Sequence, residues 1–288
     1  MKMKNSFSAL FAIAVLLSAC QDAPKSNGIE QSDLHAAEQT DGTSSPEVTF
    51  QNKAHELVYK LTKTVGDLAK LRAKKDVTYN YTYTTVDQKT DKVDEKYIFD
   101  GEYSYGAYQQ HERTTPQLTG LIEQGFDGKS VWLKHAGAYV EDEAILKKVL
   151  FSRKTNFYWF TMFQKLMDPG LNYAMVKEDV LDGKNYDVVD VSFNSEDGKP
   201  TDIYRLWINK ETSLVDQFLF TVADFGKMEV PNLMKLQYEE VDGLLLPTKR
   251  MYTKADWEGK IIKDEWIHVE WSNIKFNTGI SKDIFFKN

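Results

Sequence analysis

Histidines are the side chains in this sequence best suited to proton transfer or metal binding, and their spacing favours neither. No two lie within six residues of each other along the chain: His35, His55, His111, His135 and His268. His55-Glu56 begins like the helical motif of zinc proteases, but that motif needs a second histidine where this chain has Tyr59. We therefore predict no metal site and no cofactor.

Two other strings match catalytic motifs only in part. Residues 125–130 end like a phosphate-binding loop, but the spacing needs a glycine where this chain has Glu123, so a hairpin turn explains the string better. His111-Glu112-Arg113 fits solvated surface polarity better than catalysis. The sequence contains neither a GxSxG nucleophile elbow nor a GxGxxG fingerprint. We predict no catalytic residues, although a carboxylate pair brought together by folding stays open.

The single cysteine offers a different chemistry, because its thiol can carry a lipid. It ends the string Leu17-Ser18-Ala19-Cys20, which resembles the lipobox of bacterial lipoproteins and follows a positive start and a short apolar run. We expect residues 1–19 to be a lipoprotein signal peptide and Cys20 to carry diacylglycerol and an acyl chain such as palmitate. Two such attachments suffice for stable anchoring. A plain secretory cleavage, leaving a free thiol, is the weaker alternative, since the only cysteine stands where lipidation requires one.

Residues 20–48 hold the lipidated Cys20 and almost no large apolar side chains. Their content of Gln, Asp, Glu, Ser, Thr, Pro and Gly is typical of a disordered tether. With a lipid at its end, this tether predicts a protein of the cell envelope, held at the outer membrane on its periplasmic or its surface face. The membrane is then a partner through the N-terminal lipid.

The rest of the chain has the composition of one acidic globular domain. The sequence is 42% hydrophobic and 27% charged, which is ordinary for a folded protein with a sizeable core. The formal net charge of −7 becomes −9 without Lys2 and Lys4, the only charges of the signal peptide. Such a balance disfavours nucleic acid as a partner, because phosphates need a concentrated positive face. We predict a monomeric domain over residues 49–288.

The first part of this domain predicts a helix. Between residues 50 and 74 the apolar side chains recur at spacings of three and four, which places them on one side of an amphipathic helix. They are Ala54, Leu57, Val58, Leu61, Val65, Leu68 and Leu71. Gly66 is expected to weaken or kink this helix.

From Tyr79 onward the period of the pattern changes to two. Tyr79, Tyr81 and Tyr83 alternate with polar residues, as in a strand with one aromatic face. Asp-Gly pairs recur between apolar runs and predict hairpins, hence antiparallel pairing. The predicted strands after residue 170 are 171–181, 185–194, 201–209, 213–223, 233–241, 244–254 and 260–271. We expect a mainly β (α+β) fold with a single large curved antiparallel sheet of about ten to eleven strands.

One segment, at residues 141–168, interrupts the strands. Residues 141–151 predict a short helix, and residues 157–167 predict a second one that is apolar on nearly every side and must therefore be surrounded. The concave side of the sheet is the place for this aromatic insert. Its rings either fill the core, as large aromatics usually do, or line a pocket. The candidate ligand-cavity residues are Tyr81, Phe157, Trp159, Phe160, Phe163 and Leu166.

The order of these elements and several short motifs carry a resemblance to a known family. The motifs, spread over residues 52–288, are Gly66 ahead of Tyr79, Tyr81 and Tyr83; Trp159-Phe160 followed by Pro169-Gly170; residues 207–212; and Asp242-Gly243 with residues 247–249. Together they resemble the LolA/LolB-type lipoprotein-localisation fold, and the chain is similar to outer-membrane lipoproteins of the Bacteroidota, of unassigned function, that share it. The resemblance implies a half-barrel over an apolar cavity that binds a lipid or lipoprotein without bond-making chemistry.

We therefore expect a membrane-anchored extracytoplasmic lipoprotein that is not an enzyme. It would hold a hydrophobic ligand, such as an acyl chain or lipoprotein cargo, in a half-barrel cavity of several hundred Å³. The alternative is a structural or sensing module of the envelope, filled by its own side chains, that binds protein. A periplasmic hydrolase with scattered acids is the third interpretation. An inward-facing tyrosine stripe would suit a ligand with a polar end, whereas an outward-facing one would form a cross-strand ladder.

Overall fold

The computed structural model describes residues 48–195, 198–223 and 226–288. The signal peptide, Cys20 and nearly all of the tether lie outside the described residues, so these remain predictions. Among the described residues, no helix is both long and apolar enough to cross a membrane.

The described residues form three α-helices, thirteen strands and a C-terminal 3-10 helix. The helices are α1 (Lys53–Val65), α2 (Leu68–Arg72), α3 (Glu143–Lys165) and the 3-10 helix (Lys282–Phe285). The strands are β1 (Asp76–Thr84), β2 (Thr90–Ile98), β3 (Tyr103–His111), β4 (Ile122–Phe126), β5 (Val131–His135), β6 (Ala138–Tyr139), β7 (Leu171–Leu181), β8 (Lys184–Phe193), β9 (Ile203–Asn209), β10 (Val215–Val222), β11 (Lys227–Val241), β12 (Leu244–Lys254) and β13 (Ile267–Phe276).

All thirteen strands pair in one antiparallel sheet that does not close. Their order is β6-β5-β4-β3-β2-β1-β13-β12-β11-β10-β9-β8-β7. The sheet thus consists of two meanders, β1–β6 and β7–β13, joined where β1 pairs with β13. The predicted mainly β fold with one large curved sheet is confirmed, with thirteen strands in place of ten or eleven.

Two Asp-Gly hairpin turns set the ends of strands whose bounds the sequence predicted. At the β7–β8 turn, Asp182 and Gly183 have φ values of 51° and 77°, and Asp242 and Gly243 at the β11–β12 turn have 56° and 79°. Two successive residues with positive φ match the twist of a tight hairpin. The predicted bounds of β7 and β12 are therefore correct.

The last strand begins later than predicted. Residues 260–271 were expected to be extended, whereas β13 starts at Ile267. The intervening chain forms a turn in which the Asp256 carboxylate accepts hydrogen bonds from the backbone N–H groups of Glu258 and Lys260, both at 2.9 Å. Trp257 and Ile261 pack on the outer face of the sheet. Apolar residues in this turn explain why the sequence pattern predicted an earlier start of the strand.

The two helical predictions were each changed in one respect. Gly66 ends α1 with a φ of 88°, and a Cβ there would stand 2.4 Å from the Leu244 side chain, so the N-terminal helix is divided at the position where a kink was predicted. The predicted separation of residues 141–151 from 157–167 is wrong. They form the continuous helix α3, and Arg153, in the polar stretch between them, pairs with Glu95 in the interior.

Helix α3 lies in the concavity of the sheet, as expected. Phe160 contacts the rings of Tyr79 on β1 and Trp271 on β13, at centroid distances of 5.0 Å each. Phe163 reaches Phe218 on β10 at 6.0 Å. Since one helix contacts both meanders, the sheet curves around it. Helix α1 packs beside α3 against β7 and β12.

Candidate functional site

The structure places all six predicted cavity residues on the concave face. Five of them are buried in the two core clusters of this face: Tyr81, Phe157, Phe160, Phe163 and Leu166. Trp159 is half-buried. The tyrosine strand faces inward, since Tyr79 and Tyr81 belong to the same core cluster as Phe160. Of the predicted residues, Trp159 thus has the most surface left for a ligand.

Two cavities of the described residues bear on the expected ligand pocket. A crevice between α2, α3 and the end of β2 has a volume of about 10 Å³. A cleft of about 310 Å³ is open to solvent on the outer face of β1–β3 and β13. Its lining includes the polar or charged side chains of Asn80, Asp94, Lys96 and Lys275. Neither is the apolar cavity of several hundred Å³ expected beneath α3, because aromatic rings of α3 occupy that space.

A row of aromatic rings at the middle of α3 is only partly covered. We call it the aromatic cleft; it consists of Tyr81, Tyr83, Trp159, Phe220 and Tyr252. Its successive ring centroids lie 5.1 Å apart for Trp159–Phe220, 5.7 Å for Phe220–Tyr252, and 6.4 Å for both Tyr252–Tyr83 and Tyr83–Tyr81. The hydroxyls of Tyr83 and Tyr252 are hydrogen-bonded to each other. Tyr83, Trp159 and Tyr252 are half-buried, so these three rings keep some exposed surface.

Arg250 lies next to the aromatic cleft without a polar partner. It is 6% exposed, and its guanidinium stands 4.0 Å from the ring centroid of Trp271 and 6.0 Å from that of Trp159. Within the described residues its guanidinium forms no ion pair and donates no hydrogen bond. The Nε–H of this group is buried and unpaired. Burial lowers the pKa of Arg250, and the Coulombic influence of the Tyr81, Tyr79, Tyr97 and Tyr252 hydroxyls acts in the opposite direction.

A second guanidinium, that of Arg113, flanks the cleft from the loop after β3. It stacks 4.2 Å from the ring centroid of Tyr83, and its Nε lies 3.2 Å from Oδ2 of Asp91. The buried Asp91 carboxylate also accepts hydrogen bonds from the backbone N–H groups of Arg113 and Thr114, which fixes the loop. Burial raises the pKa of the Tyr81 hydroxyl, against the influence of both arginines. The cleft is therefore bordered by two positive charges, one of them already paired.

Two further buried polar atoms near Arg250 have no partner. They are Oγ1 of Thr248, two residues before Arg250 on β12, and Nε1 of Trp271 on the adjacent β13. Thr248 and Arg250 share the inward face of their strand, because side chains two apart point the same way. Buried polar side-chain atoms in folded proteins are usually hydrogen-bonded. The other such atoms among the described residues are Nε of Arg153 and the side-chain amide atoms of Gln124 on β4.

A buried arginine elsewhere on the same face has a carboxylate partner, although its Nε–H is unpaired within the described residues. Arg153 on α3 is 0% exposed and binds Glu95 on β2 through two hydrogen bonds of 2.6 and 2.8 Å. Its Nη2 donates to the Tyr108 hydroxyl, and Asn156 donates to the same carboxylate. Gly106 provides the room, since a Cβ there would stand 2.5 Å from Nη1 of Arg153.

The sequence interpretation missed both buried arginines, although each had a signal. Arg250 lies two residues after Thr248 and two before Tyr252, so all three share the inward face of a strand with period two. Arg153 precedes Phe157 and Phe160 by four and seven residues, which is the spacing of one helix face. A charged residue in phase with apolar neighbours indicates an inward orientation.

The histidines have structural contacts in the described region. His111 was predicted to be solvated, which is wrong: it is 8% exposed, and its Nε2–H donates to the Gly120 carbonyl at 2.7 Å. His135 likewise donates to the Thr119 carbonyl at 2.8 Å. Both hold the loop between β3 and β4. Among the described residues, no group of three or more His, Cys, Asp or Glu side chains is placed to hold a metal ion.

Comparisons with known proteins give matches of limited extent. A family of unknown function (DUF6503) matches residues 132–240. No curated protein matches the sequence. The chain is similar to the solved structure of a DUF1329 family protein from Desulfovibrio piger, with 12% identity, a TM-score of 0.47, and coverage of 80% of this chain and 95% of that one.

Two further solved structures are similar over a comparable length. A LolA superfamily protein from Nitrosomonas europaea has 11% identity and a TM-score of 0.47, covering 81% of this chain and 97% of that one. The lipoprotein LppX from Mycobacterium tuberculosis has 10% identity and a TM-score of 0.30, covering 79% and 98%. The half-barrel described above follows from the strand pairing of the chain itself.

Proposed function

We propose that this protein is a non-enzymatic envelope lipoprotein whose half-barrel binds a hydrophobic ligand at the aromatic cleft. The ligand is an acyl chain, either of a lipid or of a lipoprotein. The proposal rests mainly on the aromatic cleft, where large aromatic rings of the concave face keep accessible surface beside a few unpaired polar groups. Such a combination is the usual lining of a small-molecule site.

We expect the ligand to enter the concavity by displacing side chains, because rings of α3 pack against strands of both meanders. Trp159 is the side chain best placed to move. It is half-buried, and its ring packs against those of Phe218 and Phe220 at centroid distances of 6.1 and 5.1 Å. An acyl chain lying in the cleft would replace these contacts with contacts of the same apolar kind. Phe160, which is almost fully buried among other rings, would stay in place.

The lipid anchor completes the proposal. Cys20, acylated at the end of the tether, would hold a monomeric half-barrel at the outer membrane, as in the Bacteroidota lipoproteins that the sequence motifs resemble. Replacing Cys20 by Ser should move the protein from the membrane fraction to the soluble fraction. Continued sedimentation with membranes would contradict the anchor without affecting the cleft.

A second candidate has an observation in its favour. The small crevice and the burial of five predicted cavity residues favour a half-barrel filled by its own side chains. Such a domain would act as a structural or sensing module of the envelope and bind protein instead of lipid. The two candidates differ in whether an acyl chain reaches Trp159.

Fluorescence quenching by a bromine-labelled fatty acid separates the two candidates. Bromine quenches an indole only on contact, so titration of residues 22–288 with ω-bromododecanoic acid should give saturable quenching. The Trp159→Phe variant should lose most of it. Trp266→Phe is the matched control, because Trp266 packs on Lys235 of the outer face, 5.6 Å from its Nζ.

The result against lipid binding is the absence of saturable quenching in the unmodified protein, which would leave the filled module. Quenching that survives Trp159→Phe and disappears in Trp266→Phe would instead move the ligand to the outer face. Either outcome overturns the aromatic cleft as the site.

A further inference from the structure

We infer that the ligand of the aromatic cleft is an amphiphile with an anionic oxygen head group, and that the Arg250 guanidinium binds this head group. The inference rests on the proposed function and names its ligand class. Its basis is geometric: a guanidinium on the concave face, almost fully buried, bordering an aromatic cleft and lacking a carboxylate within the described residues.

The missing partner is the first step of the argument. Arginine stays protonated in proteins, so Arg250 brings a full positive charge into the interior. Burying a charge is costly unless the charge is paired and hydrogen-bonded. The Trp271 ring, 4.0 Å from the guanidinium, offers a cation–π contact, but a ring accepts none of the five N–H hydrogen bonds in the ordinary sense. An oxyanion would supply both the charge and the acceptors.

The same face shows what a completed arginine site requires in this protein. Arg153 has a bidentate carboxylate, a tyrosine hydroxyl and a glycine that makes room. Around Arg250 the described residues offer the rings of Trp271 and Trp159 and no paired carboxylate. A ligand carboxylate or phosphate beside Arg250 would complete the same arrangement.

The surroundings of the cleft support an anion over a neutral head group. Arg113 stacks on Tyr83 at the partly exposed side of the cleft, and its charge is already paired with Asp91. The hydroxyl of Thr248 and the indole N–H of Trp271 are unpaired donors on β12 and β13 beside Arg250. The aromatic rings between them suit the apolar chain. Together these groups match a molecule with one anionic end and one apolar end.

A pair of ligands that differ only at the head group tests the inference. Dodecanoate and dodecanol are titrated into residues 22–288 near neutral pH in competition with ω-bromododecanoic acid, and inorganic phosphate is titrated as the free oxyanion. Dodecanoate should bind about tenfold or more tightly than dodecanol, because hydrogen bonds to charged groups are the strong ones. Inorganic phosphate should compete only at far higher concentration than dodecanoate.

Arginine variants then assign the preference to one residue. In Arg250→Met the affinity for dodecanoate divided by that for dodecanol should fall to about one. In Arg250→Lys, which keeps the charge but loses the planar set of guanidinium N–H donors, this ratio should be intermediate. Arg205→Met is the matched control. Arg205 binds Asp190 on the sheet, at 2.8 and 2.9 Å, and contacts Trp257 on the outer face, so its replacement should leave the ratio unchanged.

The outcomes separate this inference from the proposed function. Equal binding of dodecanoate and dodecanol would keep the cleft as an acyl-chain site and overturn the anionic head group. A preference for dodecanoate that persists in Arg250→Met would also overturn it. Binding of neither ligand would overturn the proposed function first, and phosphate competing as well as dodecanoate would replace the amphiphile by a free oxyanion.

Discussion

Two arginines buried on the same concave face, Arg153 and Arg250, have opposite surroundings. Arg153 is held by both oxygens of Glu95 and by the Tyr108 hydroxyl. Arg250 lies against the rings of Trp271 and Trp159 and has no ion pair within the described residues. Each leaves its own Nε–H unpaired, so the difference lies in the rest of the guanidinium.

This difference distinguishes a buried arginine that stabilises the fold from one that is available to bind a ligand. The Arg153 site contains its counterion and joins α3 to β2 and β3, so it belongs to the architecture. The Arg250 site is incomplete and borders the aromatic cleft, so it belongs to the proposed function. Changes at the first should affect stability, and changes at the second should affect binding.

The largest effect on stability is expected from Glu95→Gln. The change keeps the shape of the side chain but leaves the Arg153 charge buried without a counterion, which should cost about 3 to 5 kcal/mol in the free energy of unfolding. Chemical denaturation measures this loss. Glu270→Gln, at an exposed position of β13, serves as the control and should change stability little. A small loss for Glu95→Gln would show that the ion pair is not structural.

A comparison of neighbouring aromatic residues on α3 tests the boundary of the cleft. Phe160→Ala should cost about 3 to 5 kcal/mol, since this ring is fully enclosed. Trp159→Ala should cost less than half as much, because its ring is half-buried and borders the cleft. Thermal or chemical unfolding of the two variants provides the comparison, and equal losses would place Trp159 in the core.

Gly106→Ala should have a smaller but distinct effect. The new Cβ would meet the Arg153 guanidinium at 2.5 Å, and Arg153 has little freedom to retreat because Glu95 holds it. Overpacking of this kind costs about 1 to 3 kcal/mol. Gly120→Ala controls for loss of a glycine, since a Cβ there meets nothing within 4 Å, although its positive φ adds local strain. No loss at Gly106 would show that the Arg153 site is loosely packed.

Arg250→Met should have the smallest effect on stability, and of the opposite sign. Replacing an uncompensated buried charge with an apolar side chain of similar length should leave the free energy of unfolding unchanged or raise it by about 1 kcal/mol. Chemical denaturation without ligand is the measurement. A loss as large as that of Glu95→Gln would make Arg250 a structural residue and remove the contrast between the two arginines.

The fold was predictable to the extent that local chemistry determines it. The Asp-Gly turns at 182–183 and 242–243 fixed the hairpins, and period-two alternation placed β7 and β12 correctly. Gly66 marked the break after α1. These features depend on neighbouring residues only, and the printed sequence contains them.

The candidate site depended on contacts that the local pattern does not contain. The aromatic cleft forms because β1 pairs with β13 and because α3 crosses both meanders, which joins Tyr83 to Tyr252 over a separation of 169 residues. The burial of Arg153 on α3 also involves a distant partner, Glu95, which is 58 residues away. How much space the rings of α3 leave in the half-barrel is likewise a property of packing and not of periodicity.

The most direct test of the central claim is native mass spectrometry of the full-length protein extracted from its own membranes. The account predicts a species heavier than the acylated chain by the mass of one amphiphile, which dissociates on activation and carries a carboxylate or phosphate. Arg250→Met should retain less of it, while Arg205→Met should retain as much as the unmodified protein. A single species with the mass of the acylated chain alone, under conditions that preserve the fold, would contradict the claim that the half-barrel holds a lipid.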